Sequence, residues 1–192
     1  YEYSLGLNGL GLCATQYASE YMEAEIHTGG YRYFLKFKRG KINGEMVKEP
    51  YYKKDTGSRI KWRPDMDVFT DINIPLEFYQ ETLKRQSVVN SGIKFVLKNQ
   101  LTETKFETFE YMYENGIVDY VNEFIGDNGL TGVQFWQADR KGRDRDDKPE
   151  YKLKMNMALC FSNKKQLKEY YHNSSFLEHG GAPEKAAKSA FV

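Results

Sequence analysis

The residues with the clearest chemical potential stand near the start of the chain, in the segment Gly6-Leu7-Asn8-Gly9-Leu10-Gly11. Three glycines in six positions lead directly into Leu12 to Ala18, a run that favours a helix. Glycine lets the backbone take positive φ and approach a ligand closely. A helix start adds unpaired N–H groups and the positive end of the dipole. The segment therefore predicts an anion site, and phosphate is its natural occupant.

Two other interpretations of this glycine segment stay open. Gly9-Leu10-Gly11-Leu12-Cys13-Ala14 fits the G-x-G-x-x-A pattern of dinucleotide-binding proteins. That pattern follows a buried strand and opens a βαβ unit, whereas only five residues precede Gly6 and the following segments predict antiparallel hairpins. A glycine-rich turn without any ligand is the simpler alternative.

The composition is that of a globular, strand-rich protein. Of the 192 residues, 40% are hydrophobic and 15% are aromatic, which suffices for one large domain or two small ones. The 28 basic and 27 acidic residues leave a net charge of +1, so no overall field attracts nucleic acid or a membrane. Any contact with DNA must therefore come from a local patch.

The cysteines and histidines are dispersed along the chain. Cys13 and Cys160 stand far apart, which indicates buried thiols in a reducing compartment rather than a disulfide framework. His27, His172 and His179 show no metal-ligand spacing, so no metal site is expected within this sequence. Without a signal peptide or a long apolar run, we expect a soluble cytoplasmic protein that does not contact a membrane.

Alternation with a period of two in the first third of the chain predicts an antiparallel meander. The strands of the meander are Glu20 to His27, Tyr31 to Lys38 and Glu45 to Val47, and a further strand is expected from Arg59 to Arg63. Gly29-Gly30 forms the first turn, and the last strand stops at Pro64 because proline cannot donate to a ladder. The strand from Tyr31 is predicted to have one aromatic and one largely basic face.

This meander contains a basic neighbourhood with interleaved tyrosines that could contact a phosphate backbone. Its members are Lys36, Lys38, Arg39, Lys41, Lys48, Lys53 and Lys54, with Tyr51 and Tyr52 among them. A solvated sheet face with its turns is the simpler interpretation, because acidic residues lie close by in the sequence.

The rest of the chain predicts three helices and two hairpins. The helices are expected from Pro75 to Asn90, from Ile117 to Ile125, and from the Gly180-Gly181 pair through Phe191; the strands are expected at 93–97, 105–113, 131–138 and 151–161. Between the last two strands lies the charged run 139–148. A solvated hairpin tip is the simplest interpretation of that run, and a tip that touches DNA is the alternative.

The order of the motifs carries more information than any one of them. Along the chain come the glycine segment and its helix, Thr56-Gly57-Ser58 before a strand ending at Pro64-Asp65, then Phe69, Val89-Asn90-Ser91-Gly92-Ile93, Asn115-Gly116-Ile117, Asn173-Ser174 and Glu178-His179-Gly180-Gly181. This ordered set resembles the ATPase-bearing B subunit of bacterial type IIA topoisomerases, the family of DNA gyrase and topoisomerase IV.

The resemblance implies an α+β chain in two parts. Residues 1–126 would be the C-terminal half of a GHKL-type ATP-binding domain, which is an α/β sandwich. Residues 127–192 would begin the transducer domain, a fold similar to ribosomal protein S5 domain 2.

The resemblance also implies the site residues. The backbone amides of Gly6, Leu7, Asn8, Gly9, Leu10 and Gly11 would wrap the phosphates of ATP as a lid closes, and Ser58 would join the hydrogen-bonded network under the adenine. The general-base Glu and the Mg²⁺ ligand of the family would lie before Tyr1, and the lysine at the γ-phosphate would lie beyond Val192. We therefore expect no catalytic residue in this stretch and no ATP hydrolysis by it alone.

The implied function is ATP-gated passage of one double-stranded DNA segment through another. ATP would dimerise two copies of the ATPase-bearing chain into a clamp, and a DNA-cleaving A-type subunit would cut the second duplex. The main alternative is a non-enzymatic module that binds nucleic acid or a protein and has a purely structural glycine segment. Another GHKL-type ATPase, of the heat-shock or mismatch-repair kind, is a third possibility.

Overall fold

The structure is a computed structural model that describes residues 10–143 and 145–191. It divides into two compact units, the first ending at Ile74 and the second beginning at Pro75. The domain boundary predicted after Gly126 stays a prediction.

Within residues 10–74, the first unit contains one helix and five strands. They are α1 (Leu10–Tyr17), β1 (Ser19–Thr28), β2 (Tyr31–Lys38), β3 (Lys41–Ile42), β4 (Val47–Pro50) and β5 (Gly57–Pro64). The strands form one antiparallel sheet in the order β3-β2-β1-β5, and β4 also pairs with β2. The antiparallel pairing predicted for the first three strands is confirmed, but β5 pairs with β1 and not with β4, so the whole sheet is not a simple meander. The predicted third strand corresponds to β4, which starts later than predicted, at Val47, where its pairing with β2 begins.

The pairing register gives this sheet two chemically different faces. Side chains that pair across strands lie on the same face, so the pairs Met22 with Phe37 and Met22 with Trp62 define an apolar side. We call it the aromatic face; it carries Met22, Ala24, Ile26, Tyr31, Tyr33, Leu35, Phe37, Ser58, Ile60 and Trp62. The opposite side is the polar face, with Tyr21, Glu23, Glu25, His27, Arg32, Phe34, Lys36, Lys38, Arg59, Lys61 and Arg63. The two-faced strand predicted from Tyr31 is thus confirmed.

The expectation of a buried thiol is wrong for Cys13, which is exposed. The reason is that α1 is short and buries none of its residues. Cys160 is half-buried, and its Sγ donates to the carbonyl oxygen of Thr131 at 3.1 Å. Both thiols are free.

Across residues 75–143 and 145–191, the second unit contains three helices, a 3₁₀ turn and three two-stranded antiparallel pairs. The elements are α2 (Leu76–Val89), β6 (Phe95–Gln100), β7 (Phe106–Tyr111), α3 (Ile117–Ile125), the 3₁₀ turn Gly126–Asn128, β8 (Gln134–Gly142), β9 (Tyr151–Leu159), β10 (Tyr171–His172), β11 (Ser175–Phe176) and α4 (Gly181–Phe191). The pairs are β6–β7, β8–β9 and β10–β11. The three predicted helices and the two predicted hairpins are confirmed. The short pair β10–β11 was not predicted from the sequence; Asn173 forms the turn between its strands at a φ of 53°.

Hydrogen bonds to Glu123 connect α3 to Lys84 of α2 and to Tyr113. We call these three side chains the polar bridge. Glu123 Oε1 accepts from Lys84 Nζ at 2.9 Å, and Glu123 Oε2 accepts from the Tyr113 hydroxyl at 2.8 Å. The hydrogen bond from Lys84 is the main cause that lowers the pKa of Glu123, and the Tyr113 hydroxyl lowers it further against the opposing effect of burial. The polar bridge therefore favours the charged form of the Glu123 carboxylate.

We expect this bridge to stabilise the second unit above about pH 4.5 and to be lost in acid. Because the pKa of Glu123 is lower in the folded than in the unfolded chain, its contribution is present at neutral pH and disappears as the pH falls through the folded value. The effect is small, since the Glu123 side chain is 56% exposed. Urea midpoints between pH 7 and 3 should fall less steeply for Glu123→Gln than for the unmodified chain. Glu103→Gln in the β6–β7 turn is the control, and parallel curves for Glu123→Gln and the unmodified chain would contradict the expectation.

Candidate functional site

The structure describes only the end of the predicted phosphate segment. Gly6, Leu7, Asn8 and Gly9 lie outside the described residues. Leu10 and Gly11 form the start of α1, two residues earlier than the predicted helix.

The surroundings of Gly11 leave room for a ligand. A Cβ built on this residue meets no atom within 4 Å, and Gly11 is not among the glycines at positive φ. Its carbonyl oxygen accepts from the Thr15 hydroxyl, one turn later in the helix, at 3.0 Å. Neither backbone conformation nor packing among the described residues therefore requires glycine at this position.

Ser58 is the second residue of β5 and lies on the aromatic face. It pairs with Ile26 of β1, and its own side chain is exposed. The same face exposes 41% of Ile26, 36% of Ile60 and 43% of Trp62. A flat apolar surface beside a hydroxyl that can donate and accept is suited to a heteroaromatic base.

The described residues of the two parts of the predicted site are not hydrogen-bonded to each other. Within residues 10–143 and 145–191, no hydrogen bond connects Leu10 or Gly11 to Ser58. Ser58 is level with Ile26, about 23 Å along β1 from Ser19 at about 3.3 Å per residue. That these residues share one ligand stays a prediction.

A charged cluster on the polar face was not predicted from the sequence. Arg32 reaches Glu25 Oε2 at 2.7 Å and Glu49 Oε1 at 2.8 Å, and so ties β1, β2 and β4 together. The hydrogen bond from Arg32 lowers the pKa of Glu25. His27 stacks on Tyr51 with ring centroids 3.9 Å apart; its Nε2 lies 3.1 Å from Glu25 Oε1 but without hydrogen-bond geometry, so we regard that contact as electrostatic.

This cluster braces the sheet and does not belong to the predicted nucleotide site. It lies on the polar face, whereas Ser58 lies on the aromatic face. The period-two pattern could have placed Glu25, His27 and Arg32 on one face. It could not have shown that β4 brings Glu49 beside them, because that pairing is set by the fold.

The described part of the chain offers no donor set for a metal ion. Among residues 10–143 and 145–191, no group of three or more His, Cys, Asp or Glu side chains could hold one. Mg²⁺ is therefore assigned to none of these described residues. In the same ranges, none of the helices combines the length and apolar character needed to cross a bilayer.

The chain has relatives among the ATPase-bearing chains of topoisomerases, although no family model matches it. It is 30% identical over 175 residues to the B subunit of DNA topoisomerase 4 from Staphylococcus aureus, an alignment that covers 88% of this chain and 26% of that protein. Identity to the B subunit of DNA gyrase is 30% over 127 residues for Treponema denticola and 27% over 128 residues for Synechocystis. The Treponema denticola alignment covers 64% of this chain and 20% of that protein. The Synechocystis alignment covers 66% of this chain and 12% of that protein.

A solved structure has the same fold as a large part of this chain. The 43K ATPase domain of Thermus thermophilus gyrase B, in complex with an aminocoumarin, matches with a TM-score of 0.58 at 16% identity, over 74% of this chain and 38% of that one. The chain spans between about an eighth and a quarter of the length of the three relatives. The resemblance predicted from the ordered motifs is thus confirmed: over most of its length the chain is a homologue of the B subunits of DNA gyrase and topoisomerase IV.

Proposed function

We propose that the chain is part of the ATP-binding region of a type II DNA topoisomerase, in its ATPase-bearing B subunit. The observation that carries this proposal is the 30% identity to the corresponding chain of DNA topoisomerase 4 over 88% of the sequence. The fold shared with the gyrase B ATPase domain supports it independently of sequence identity. In this proposal residues 1–126 belong to the nucleotide-binding domain and residues 127–192 open the transducer domain.

The proposed nucleotide site uses the two parts found from the sequence. The amides of the glycine segment, from Gly6 to Gly11, hold the phosphates of ATP, and Ser58 contributes a hydroxyl near the adenine. Support comes from the open space at Gly11 and from the apolar surface around Ser58. The general base and the Mg²⁺ ligand are assigned to no residue in this sequence, so this stretch alone is not expected to hydrolyse ATP.

ATP is proposed to act by changing the balance between open and closed states. A ligand shifts such an equilibrium only through its differential affinity for the two states, and here the γ-phosphate supplies the difference. Closure dimerises two copies of the chain into a clamp around double-stranded DNA. A DNA-cleaving A-type subunit then opens the second duplex for passage.

The test is made on the native polypeptide, captured from source cells with an antibody raised against this sequence. We expect a protein several times longer than 192 residues that, with its A-type partner, unlinks interlocked DNA circles only when ATP is present. A native chain of about 192 residues without nucleotide-dependent activity would instead support the alternative, a non-enzymatic binding module.

A further inference from the structure

The polar face of the first sheet gathers exposed cations from three strands. We call the group the basic strip: Lys36 and Lys38 on β2, Lys41 on β3, and Arg59, Lys61 and Arg63 on β5. All six side chains are exposed. In the sequence they are spread over 28 residues among acidic neighbours, so only the strand pairing reveals that they share one face.

The pairing register places most cations of the basic strip in two columns, one along β2 and one along β5. Lys38 and Arg63 both pair with Tyr21, while Lys36 and Lys61 both pair with Glu23. The β2 and β5 columns therefore flank β1 about 9.5 Å apart, twice the spacing between neighbouring strands. Within a column, alternate residues repeat every 6.6–6.8 Å or so.

The nearby carboxylates do not balance this charge. Glu20 contacts Arg63 at 3.4 Å, and Glu23 lies between Lys36 and Lys61. Glu25 and Glu49 also lie on this face and both bond Arg32, which is outside the strip, while Glu25 pairs with Arg59 across β1 and β5. Four carboxylates thus face the six cations of the strip and Arg32. In addition, Lys38 and Lys41 pair directly across β2 and β3, an arrangement of like charges that costs folding free energy.

We propose that the basic strip binds the phosphate backbone of double-stranded DNA, on the sheet face opposite Ser58. Exposed cations that repel one another and lack enough carboxylate partners would be stabilised by a bound polyanion. The repeat within a column equals the axial rise of two phosphates of a DNA strand, at about 3.4 Å each. The choice of duplex DNA as the polyanion rests on the proposed function. The arrangement of the charges follows from the strand pairing and does not depend on that function.

The test is a DNA-binding titration of the full 192-residue chain with a fluorescent duplex of arbitrary sequence and about 20 base pairs, or about two helical turns. The variant is the triple Lys38→Gln, Lys61→Gln, Arg63→Gln. The matched control is Lys141→Gln, Arg143→Gln, Arg145→Gln at the β8–β9 hairpin, which removes the same charge from the other candidate DNA surface. Circular dichroism verifies that both triples are folded.

We expect the strip triple to weaken binding about tenfold or more at 0.1 M salt and to flatten the slope of log K against log salt by about 2.7, or about 0.9 for each lost phosphate contact. The hairpin triple should change affinity less than about twofold if its cations do not touch phosphate. Equal losses for the two triples would overturn the proposal, as would a loss for the hairpin triple alone or an absence of DNA binding by the unmodified chain. Binding that prefers polyglutamate to DNA would also overturn it, in favour of an acidic protein partner.

Binding of a fluorescent ATP analogue to the same variants separates this proposal from the proposed function. Unchanged nucleotide binding with weakened DNA binding supports the strip. Failure of the native polypeptide to bind nucleotide while the unmodified chain still binds DNA through the strip would contradict the proposed function alone.

Discussion

Replacing Gly11 with alanine should weaken binding of a non-hydrolysable ATP analogue by about tenfold or more, equivalent to about 1.4 kcal/mol, without destabilising the fold. A Cβ at Gly11 meets no atom within 4 Å and the residue does not have positive φ, so the fold accepts alanine there. Alanine is also up to about 1 kcal/mol more favourable than glycine inside a helix. If the local amides hold phosphate, the added methyl group enters the space that the ligand needs.

The measurement combines nucleotide titration and thermal unfolding of the native polypeptide. Gly132→Ala is the matched control, because its Cβ also meets no atom within 4 Å and its φ is not positive. Nucleotide affinity of the Gly11 variant equal to that of the control would favour a glycine-rich turn without a ligand. A drop in unfolding temperature for Gly11→Ala would show that glycine serves the fold itself.

Gly116→Ala should destabilise the second unit strongly, and Gly126→Ala less so. These glycines cap the two ends of α3 with nearly the same backbone: φ 54° and ψ −122° at Gly116, and φ 51° and ψ −132° at Gly126. This region is essentially confined to glycine, so strain of about 1–3 kcal/mol is expected at either site. At Gly116 a Cβ would in addition lie 3.0 Å from the Val88 carbonyl oxygen and 3.2 Å from Ser91 Cβ, whereas at Gly126 it meets no atom within 4 Å.

The difference between the two variants isolates the close approach of α3 to α2. Urea unfolding should place Gly116→Ala about 1 kcal/mol or more below Gly126→Ala, a typical cost of overpacking. Equal losses would mean that only backbone strain matters. A larger loss at Gly126 would contradict the packing around Val88, which is 2% exposed.

Much of the secondary structure could be predicted because local patterns encode it. The alternation in Tyr31–Lys38 fixes both strand and faces, and the apolar spacing in Ile117–Ile125 fixes a helix, since each follows from the geometry of a single element. Pro75 and Pro64 marked a helix start and a strand end for equally local reasons. Boundaries near glycine turns, such as the start of β4 after Gly44, were less accurate because pairing with β2 decides them.

The candidate site was predicted by comparing motif order, not from physical constraints. Nothing local at Ser58 indicates a nucleotide; its place on the aromatic face follows from the pairing of β5 with β1. In the described residues no hydrogen bond connects Ser58 to Gly11, and that both bind one nucleotide stays a prediction.

By itself the sequence determined the element types, the two-faced strands and the kinship with the ATPase-bearing chains of type IIA topoisomerases, because these depend on short-range spacing and ordered motifs. Only the tertiary structure decided that Arg32 bridges Glu25 and Glu49, that six cations from three strands share one face, and that Gly116 but not Gly126 abuts α2. Each of these depends on which strand edges and helix faces meet across long sequence separations. Such pairing is selected by the free energy of the whole fold, and no local window contains it.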